Sequence, residues 1–194
     1  MIAVNETLGN VAADFGLEPA QLSGDLLRIA ETEHRYLKDL RINLKNALSY
    51  PNLSRKEALM IALAVSVNDR STTLRPALEQ MAAAEGLSET ELAEVLACVS
   101  LLNVNNVFYR FRHFTPKEYY TQTPAGIKMS IMMNPVLGKE FFELLSLAVS
   151  ALNGCEICVN AHESALIQAG TTEARVYDAI RCAAVFRGFI VLQS

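Results

Sequence analysis

Two cysteines three residues apart, Cys155 and Cys158, are followed one helical turn later by His162. On a helix the spacing i, i+3, i+7 puts all three on one face. Asn153-Gly154 precede them as a helix-breaking pair, so Cys155 is expected near a helix N-terminus. There the unpaired N–H groups and the positive end of the helix dipole favour thiolate over thiol. A Cys-x-x-Cys so placed is a dithiol suited to redox cycling. A fourth residue comes from the preceding apolar segment. Glu143 is the one charge between Phe141 and Leu152 and shares a stripe with Ser146 and Ser150 at i, i+3, i+7. Burial among apolar neighbours would tune such a carboxyl as a proton carrier. At about 1.5 Å rise per residue, two helices folded back at Asn153-Gly154 bring Glu143 and His162 to similar height. The expected cluster is Glu143, Cys155, Cys158 and His162, with carboxylate and imidazole moving a proton to or from a thiol.

The same residues have other uses to weigh. A zinc site would take three ligands from Cys155, Cys158 and His162 and need Glu143 as the fourth, because the sequence has no second Cys-x-x-Cys. No metal and no bound cofactor are expected. Haem c attachment requires His directly after the second cysteine, where Val159 stands. Cys98 and Cys182 fall on apolar helical faces and read as inert core thiols. His34, among Glu31, Glu33, Arg35 and Lys38, reads as a solvated residue, and His113, beside Arg110 and Arg112, as a structural or interface one.

The elements that must position these groups read as helices throughout. Ala, Leu, Glu, Lys and Met dominate the periodic segments, and no β-branched or aromatic run alternates with polar residues between turn signals. The pattern predicts an all-α chain with helices over 24–48, 54–67, 76–85, 89–102, 139–152, 156–168 and 173–190. Ser54 with Glu57 matches a capping box, Pro76 suits a first turn, and Gly86 and Gly170 suit helix C-caps. Sliding the sequence by 84 positions lays Leu63-Ala64-Val65-Ser66 on Leu147-Ala148-Val149-Ser150. It also matches Ala77, Glu79, Gly86, Glu89 and Cys98 with Ala161, Glu163, Gly170, Glu173 and Cys182. Four plus five identities over 63–103 suggest two related helical units, although two Ala/Leu-rich helical segments also resemble one another by chance. The expected organisation is one domain, 1–194. It comprises an N-terminal helical segment (1–53), a first unit without the redox pair (54–103), an irregular aromatic linker (104–135) and a second unit carrying the site (136–194). Ser71, Leu74 and Leu78 of the first unit stand where the second has Cys155, Cys158 and His162.

Composition narrows the partners. The 194 residues are 51% hydrophobic and 20% charged with net charge −4, which suits a packed domain and excludes a disordered chain. No Lys/Arg block offers an electrostatic footprint for nucleic acid. The longest apolar stretches, 58–67 and 95–102, are about ten residues or fewer against roughly 20 for a bilayer span, so no membrane crossing is expected. Met1-Ile2-Ala3-Val4-Asn5-Glu6 lacks the cationic and apolar regions of a secretory leader, and a cytoplasmic address is the default expectation.

The stretch Phe142-Glu143-Leu144, Ala148-Val149-Ser150-Ala151 and Asn153-Gly154-Cys155-x-x-Cys158-x-x-x-His162-Glu163 resembles the alkyl hydroperoxidase D branch of the carboxymuconolactone decarboxylase superfamily. Asn105-Asn106-Val107-Phe108-Tyr109-Arg110 is similar to that branch's linker, and 36–44 to its N-terminal helix, so the likeness covers nearly the whole chain from about residue 34. The resemblance implies an all-helical subunit assembled as a homotrimer or higher homo-oligomer and acting as an antioxidant peroxidase. Cys158 would attack an organic hydroperoxide or hydrogen peroxide and become a sulfenic acid. Cys155 would donate a proton and resolve the pair to a disulfide, and Glu143 and His162 would relay protons. The implied reductant is dihydrolipoamide on a lipoyl-bearing partner, with a two-cysteine peroxiredoxin as a further electron partner. Decarboxylases of the superfamily typically lack the Cys-x-x-Cys. One position departs from the pattern: where some members have His immediately before the second cysteine, this chain has Ile157, with Glu156 beside it. An apolar side chain donates no hydrogen bond and a neighbouring carboxylate disfavours thiolate. A redox sensor or peroxiredoxin-reducing adaptor without high peroxidase turnover is therefore the alternative.

Overall fold

A computed structural model describes residues 5–193. Met1 to Val4, part of the segment in which no leader is expected, and Ser194 lie outside the described residues. The described chain is all helical: α1 (Glu6–Asp14), α2 (Gly24–Glu31), α3 (Tyr36–Ala47), α4 (Arg55–Asn68), α5 (Leu74–Ala84), α6 (Glu89–Phe114), α7 (Glu118–Gln122), α8 (Lys139–Leu152), α9 (Glu156–Gln168) and α10 (Glu173–Gln193), with 3₁₀ turns at Pro19–Gln21 and Ser130–Met133.

Hydrophobicity decides which helices lie innermost. Every residue of α4 from Ala58 to Ser66 is buried, as is nearly all of α8 from Phe141 to Ser150, because both are apolar all round. These two helices touch each other, and α6 and α10 pack against both. The expected capping box is present, with Ser54 Oγ accepting from Glu57 N–H and the Glu57 carboxylate accepting from Ser54 N–H; Ser88 and Glu91 repeat it at the start of α6. Glu91 also takes Lys56 Nζ at 2.8 Å, tying α6 to α4.

Two expected boundaries are corrected. The helix expected over 24–48 is two helices, because α2 ends in a Schellman motif without glycine. Glu33 adopts φ +49°, Glu33 N–H donates to Ala30 O, and His34 N–H donates to Ile29 O. The expected linker over 104–135 begins instead as helix, for α6 runs twelve residues past Leu102 to Phe114. Within this extension and at its start the asparagine amides are paired: Asn103 Nδ2 donates to Val99 O within the helix, and Asn106 Nδ2 donates to Ser150 Oγ of α8. Thus lengthened, α6 is long and apolar enough to cross a membrane by length and composition alone. In the bundle its Val95, Cys98, Val99, Leu102, Asn105 and Asn106 are buried. Helix α1 was not anticipated.

Several helix bounds fall 84 residues apart. α4 shifted by 84 gives the bounds of α8, α5 and α9 end 84 apart, and α6 and α10 begin 84 apart. Arg70 and Gly154 share positive φ (57° and 65°), as do Gly86 and Gly170 (81° and 90°). Two buried carboxylates accept backbone N–H groups at positions related by the same offset. Glu94 accepts from Val136 N–H at 2.7 Å, while Asp178 accepts from Asn52 N–H at 3.2 Å; each residue of the first bond lies 84 from one of the second.

Candidate functional site

Helix α8 stops at Asn153, and Gly154 supplies the left-handed turn: Gly154 N–H donates to Ala151 O and Cys155 N–H to Ser150 O, both at 3.1 Å. Cys155 is then the N-cap of α9, as the helix-breaking pair predicts. Cys155 and Cys158 form a disulfide, with Cα atoms 5.3 Å apart. The two sulfur residues differ in access, since Cys155 is 0% exposed and Cys158 7%.

One turn on, His162 Nδ1 lies 2.6 Å from Glu143 Oε2, so the fold-back at Asn153-Gly154 brings the expected pair together. With an ionised carboxylate, Nδ1 donates and Nε2 remains for a group on the other side of the ring. Glu143 is less desolvated than its apolar helix suggests, with 27% of its side chain exposed against 12% for His162. The other members of its stripe turn to α6: Ser146 Oγ is 3.6 Å from Cys98 Sγ, and Ser150 Oγ accepts from Asn106.

Beside the pair opens a cavity of about 360 Å³ lined by Asn105, Tyr109, Met129, Met132, Ile157, Cys158, Ala161 and His162. Half of this lining lies outside the helical hairpin that carries the expected site residues. Asn105 and Tyr109 lie on the unexpected extension of α6, Met129 just before the Ser130–Met133 turn and Met132 on it. A signal existed, since Leu102, Asn105, Asn106 and Tyr109 continue the helical spacing of α6's inner face. Asn105 is 5% exposed; its Nδ2 donates to Met129 Sδ at 3.2 Å, and its Oδ1 has no partner among the described residues.

A chain of side-chain amides supports the turn before Cys155. Asn103 Nδ2 donates to Asn68 Oδ1, Asn68 Nδ2 to Asn153 Oδ1, and Asn153 Nδ2 to Asn106 Oδ1, at 2.9, 3.1 and 2.9 Å. Arg110 Nη1 donates to Asn153 O, capping the carbonyl end of α8. His113 Nε2 is 3.9 Å from the Glu156 carboxylate, and exposed His34 accepts from Tyr36 N–H, so neither enters the cavity lining. Cys98 and Cys182 are fully buried, and burial pushes both thiols up to about 12.

The Carboxymuconolactone decarboxylase family matches residues 119–194, which include the disulfide and the Glu143–His162 pair. Alkyl hydroperoxide reductase AhpD of Coxiella burnetii (strain Dugway 5J108-111) is 41% identical over 156 residues, covering 79% of this chain and 88% of the relative. The protein of the same name from Bradyrhizobium sp. (strain BTAi1 / ATCC BAA-1182) is 38% identical, covering 80% and 86%, and that from Anaeromyxobacter dehalogenans (strain 2CP-C) 37% identical, covering 76% and 79%.

Proposed function

Because the chain belongs to the carboxymuconolactone decarboxylase family, among relatives named alkyl hydroperoxide reductase AhpD, we propose that it is a thiol-dependent peroxidase acting on organic hydroperoxides. The observation that carries this reading is the Cys155–Cys158 disulfide, whose more accessible sulfur, Cys158, shares a cavity with His162 while His162 is held by Glu143.

In the reduced protein the Cys158 thiolate attacks the terminal oxygen of the hydroperoxide. The O–O bond breaks, sulfur is oxidised to sulfenic acid, and the alkoxide takes a proton delivered from Cys155 through His162 and Glu143 and leaves as alcohol. The Cys155 thiolate then attacks Cys158 sulfur, the hydroxide leaves as water with the proton that Cys158 gave up to the His162–Glu143 pair when it became a thiolate, and the disulfide forms. Glu143 keeps the imidazole in one orientation and stabilises its charged form while the proton passes. Two thiols of a dihydrolipoyl group on a partner protein, attacking at Cys158, return the pair to the dithiol. A two-cysteine peroxiredoxin is a further acceptor of these electrons, and the working unit is a cytoplasmic homotrimer or higher homo-oligomer.

A second reading, a redox sensor or peroxiredoxin-reducing adaptor with slow peroxide turnover, is favoured by Ile157. It stands between the cysteines and gives the reacting sulfur no hydrogen-bond donor. Peroxide consumption with dihydrolipoamide separates the two. The peroxidase reading expects turnover that Cys158→Ser abolishes and Cys155→Ser reduces to a single event. Full turnover by Cys158→Ser sinks it, whereas disulfide exchange with a peroxiredoxin in the absence of peroxide turnover selects the adaptor.

A further inference from the structure

Resting on the peroxidase reading for its kinetic part, we propose that Asn106 is a positioning residue for the resolving thiol. From α6 it fixes the turn that holds Cys155 against Cys158, and so sets the reduction potential of the pair and the speed at which the sulfenic acid is resolved.

The first ground is how Cys155 is held. It is the N-cap of α9, but its side chain caps no backbone group, since its sulfur is bonded to Cys158. When the disulfide opens, Cys155 keeps two backbone bonds: its N–H donates to Ser150 O at 3.1 Å and its carbonyl accepts from Val159 N–H at 2.9 Å. The first bond makes the place of Cys155 depend on the end of α8. Asn106, 1% exposed, grips that end at two points: its Nδ2 donates to Ser150 Oγ and its Oδ1 accepts from Asn153 Nδ2, both at 2.9 Å. Ser150 is fully buried, so water does not stand in for a lost bond.

The second ground is the turn before Ser71, 84 residues earlier, which carries no redox pair and is held differently. Ser66 Oγ donates to Leu63 O of its own helix, and Asp69, in the place of Asn153, accepts from Arg187 of α10. Two separate partners serve there, whereas a single amide spans both positions beside Cys155.

In the dithiol this grip keeps Cys155 close to Cys158 without a covalent bond, and holding two reacting groups in place raises their effective concentration. In the resolving step the Cys155 thiolate attacks the sulfenic sulfur of Cys158, the S–O bond breaks, and hydroxide leaves as water with a proton from the His162–Glu143 pair. The rate of that attack and the stability of the disulfide both rise with the effective concentration. Without Asn106 the reduced turn relaxes and rehydrates Ser150 and Asn153, while the disulfide holds the oxidised turn with those groups unpaired. The oxidised form loses more, and the potential rises.

The test uses the full chain with Asn106→Leu and with Ser150→Ala, a milder change that removes one of the two bonds. Equilibration with mixtures of reduced and oxidised dithiothreitol should show a disulfide about tenfold less stable in Asn106→Leu, a rise of about 30 mV, and about threefold less stable in Ser150→Ala. The thermal midpoint should fall further in the oxidised variant than in the reduced one. A merely structural Asn106 would lower both midpoints alike and leave the potential at its native value, which overturns the proposal, as does a potential that falls. If Asn106→Leu does not fold, Ser150→Ala decides by the same readings. With cumene hydroperoxide, and dimedone as the sulfenic-acid trap, the variant should form sulfenic acid within about twofold of the native rate and close the disulfide about tenfold more slowly. Equal slowing of both steps overturns the positioning role. If the native protein forms no sulfenic acid with peroxide, the peroxidase reading has failed by itself; the potential and the two midpoints need no peroxide and still decide the role of Asn106.

Discussion

Replacing Glu143 by Gln isolates the charge of the carboxylate from its shape, since the amide oxygen can still accept from His162 Nδ1. The bond is 2.6 Å long, with side chains 12% and 27% exposed, so water screens it only in part. A hydrogen bond to a charged group is worth about 1.5–3 kcal/mol and a neutral one about 0.5–1.5, leaving about 1–2 kcal/mol for the charge. If that difference is expressed as imidazole gains its proton in the transition state, kcat/KM falls roughly 5- to 30-fold. Peroxide consumption with saturating dihydrolipoamide reads it in four proteins: native, Glu143→Gln, His162→Gln and the double variant. Because Glu143 is argued to act through His162, the losses should not add, and the double variant should match His162→Gln within about twofold. Additive losses would mean that the two residues serve separate steps. A Glu143→Gln protein at native rate would refute the relay outright.

The remaining thiols give a simple count. With the native disulfide intact no cysteine should react rapidly with a thiol reagent at pH 8, and after mild reduction two should, because burial raises Cys98 and Cys182 to about 12; four fast thiols would contradict the packing. Acid should destabilise the fold through Glu57, Glu91 and Asp178. Burial raises Glu57, but Arg175 and Ser54 outweigh it; Lys56 and Ser88 hold Glu91 at about 2; burial raises Asp178, but Arg181 and Asn52 outweigh it. Each carboxylate is lowered in the folded state, so its stabilisation is present above the ordinary carboxylate range and lost as pH falls from about 4.5 towards about 2. A thermal midpoint that drops across this window, and drops less in Glu91→Gln, is the expected result, and a flat midpoint would refute it.

Capped helices were legible because their signals are local. The starts of α4 and α6 follow from side chains that bond a backbone three residues away, and the ends of α5 and α9 from glycines at positive φ. The end of α2 escaped because Glu33 takes the left-handed conformation without being glycine, held by contacts that no propensity encodes. The run through Phe114 escaped for the opposite reason: Asn103 and Asn106 favour turns until Asn68 and Ser150, on other helices, give their amides partners. At the site, Glu143, Cys155, Cys158 and His162 lie on two helices joined by a short turn, so helical geometry alone could bring the first and last together. The cavity draws on α6 and the Met129–Met132 region, which sequence distance hides.

The 84-residue correspondence turns the local legibility of the site into a further test. At the first unit's matching turn, Ser71 Oγ accepts from Leu74 N–H at 3.2 Å, so the scaffold already sets residue i over residue i+3. In the second unit those two positions are Cys155 and Cys158, and the contact is a covalent bond. Glu143 and His162 correspond to Leu59 and Leu78, both fully buried, and Leu74 is itself 0% exposed where Cys158 is 7%. What sets the turn at Cys155 apart from the one at Ser71 is thus a neighbouring Glu143–His162 pair and a partly exposed second position. In a Cys155→Ser, Cys158→Ser background, Ser71→Cys with Leu74→Cys should form a disulfide with a small oxidant, yet dihydrolipoamide should reduce it at least tenfold more slowly than the native pair, because attack on a buried sulfur requires local opening. It should also show no peroxide turnover, since Leu59 and Leu78 move no proton. Native-like turnover by this variant would show that the turn alone suffices and that Glu143, His162 and the cavity are incidental to the chemistry.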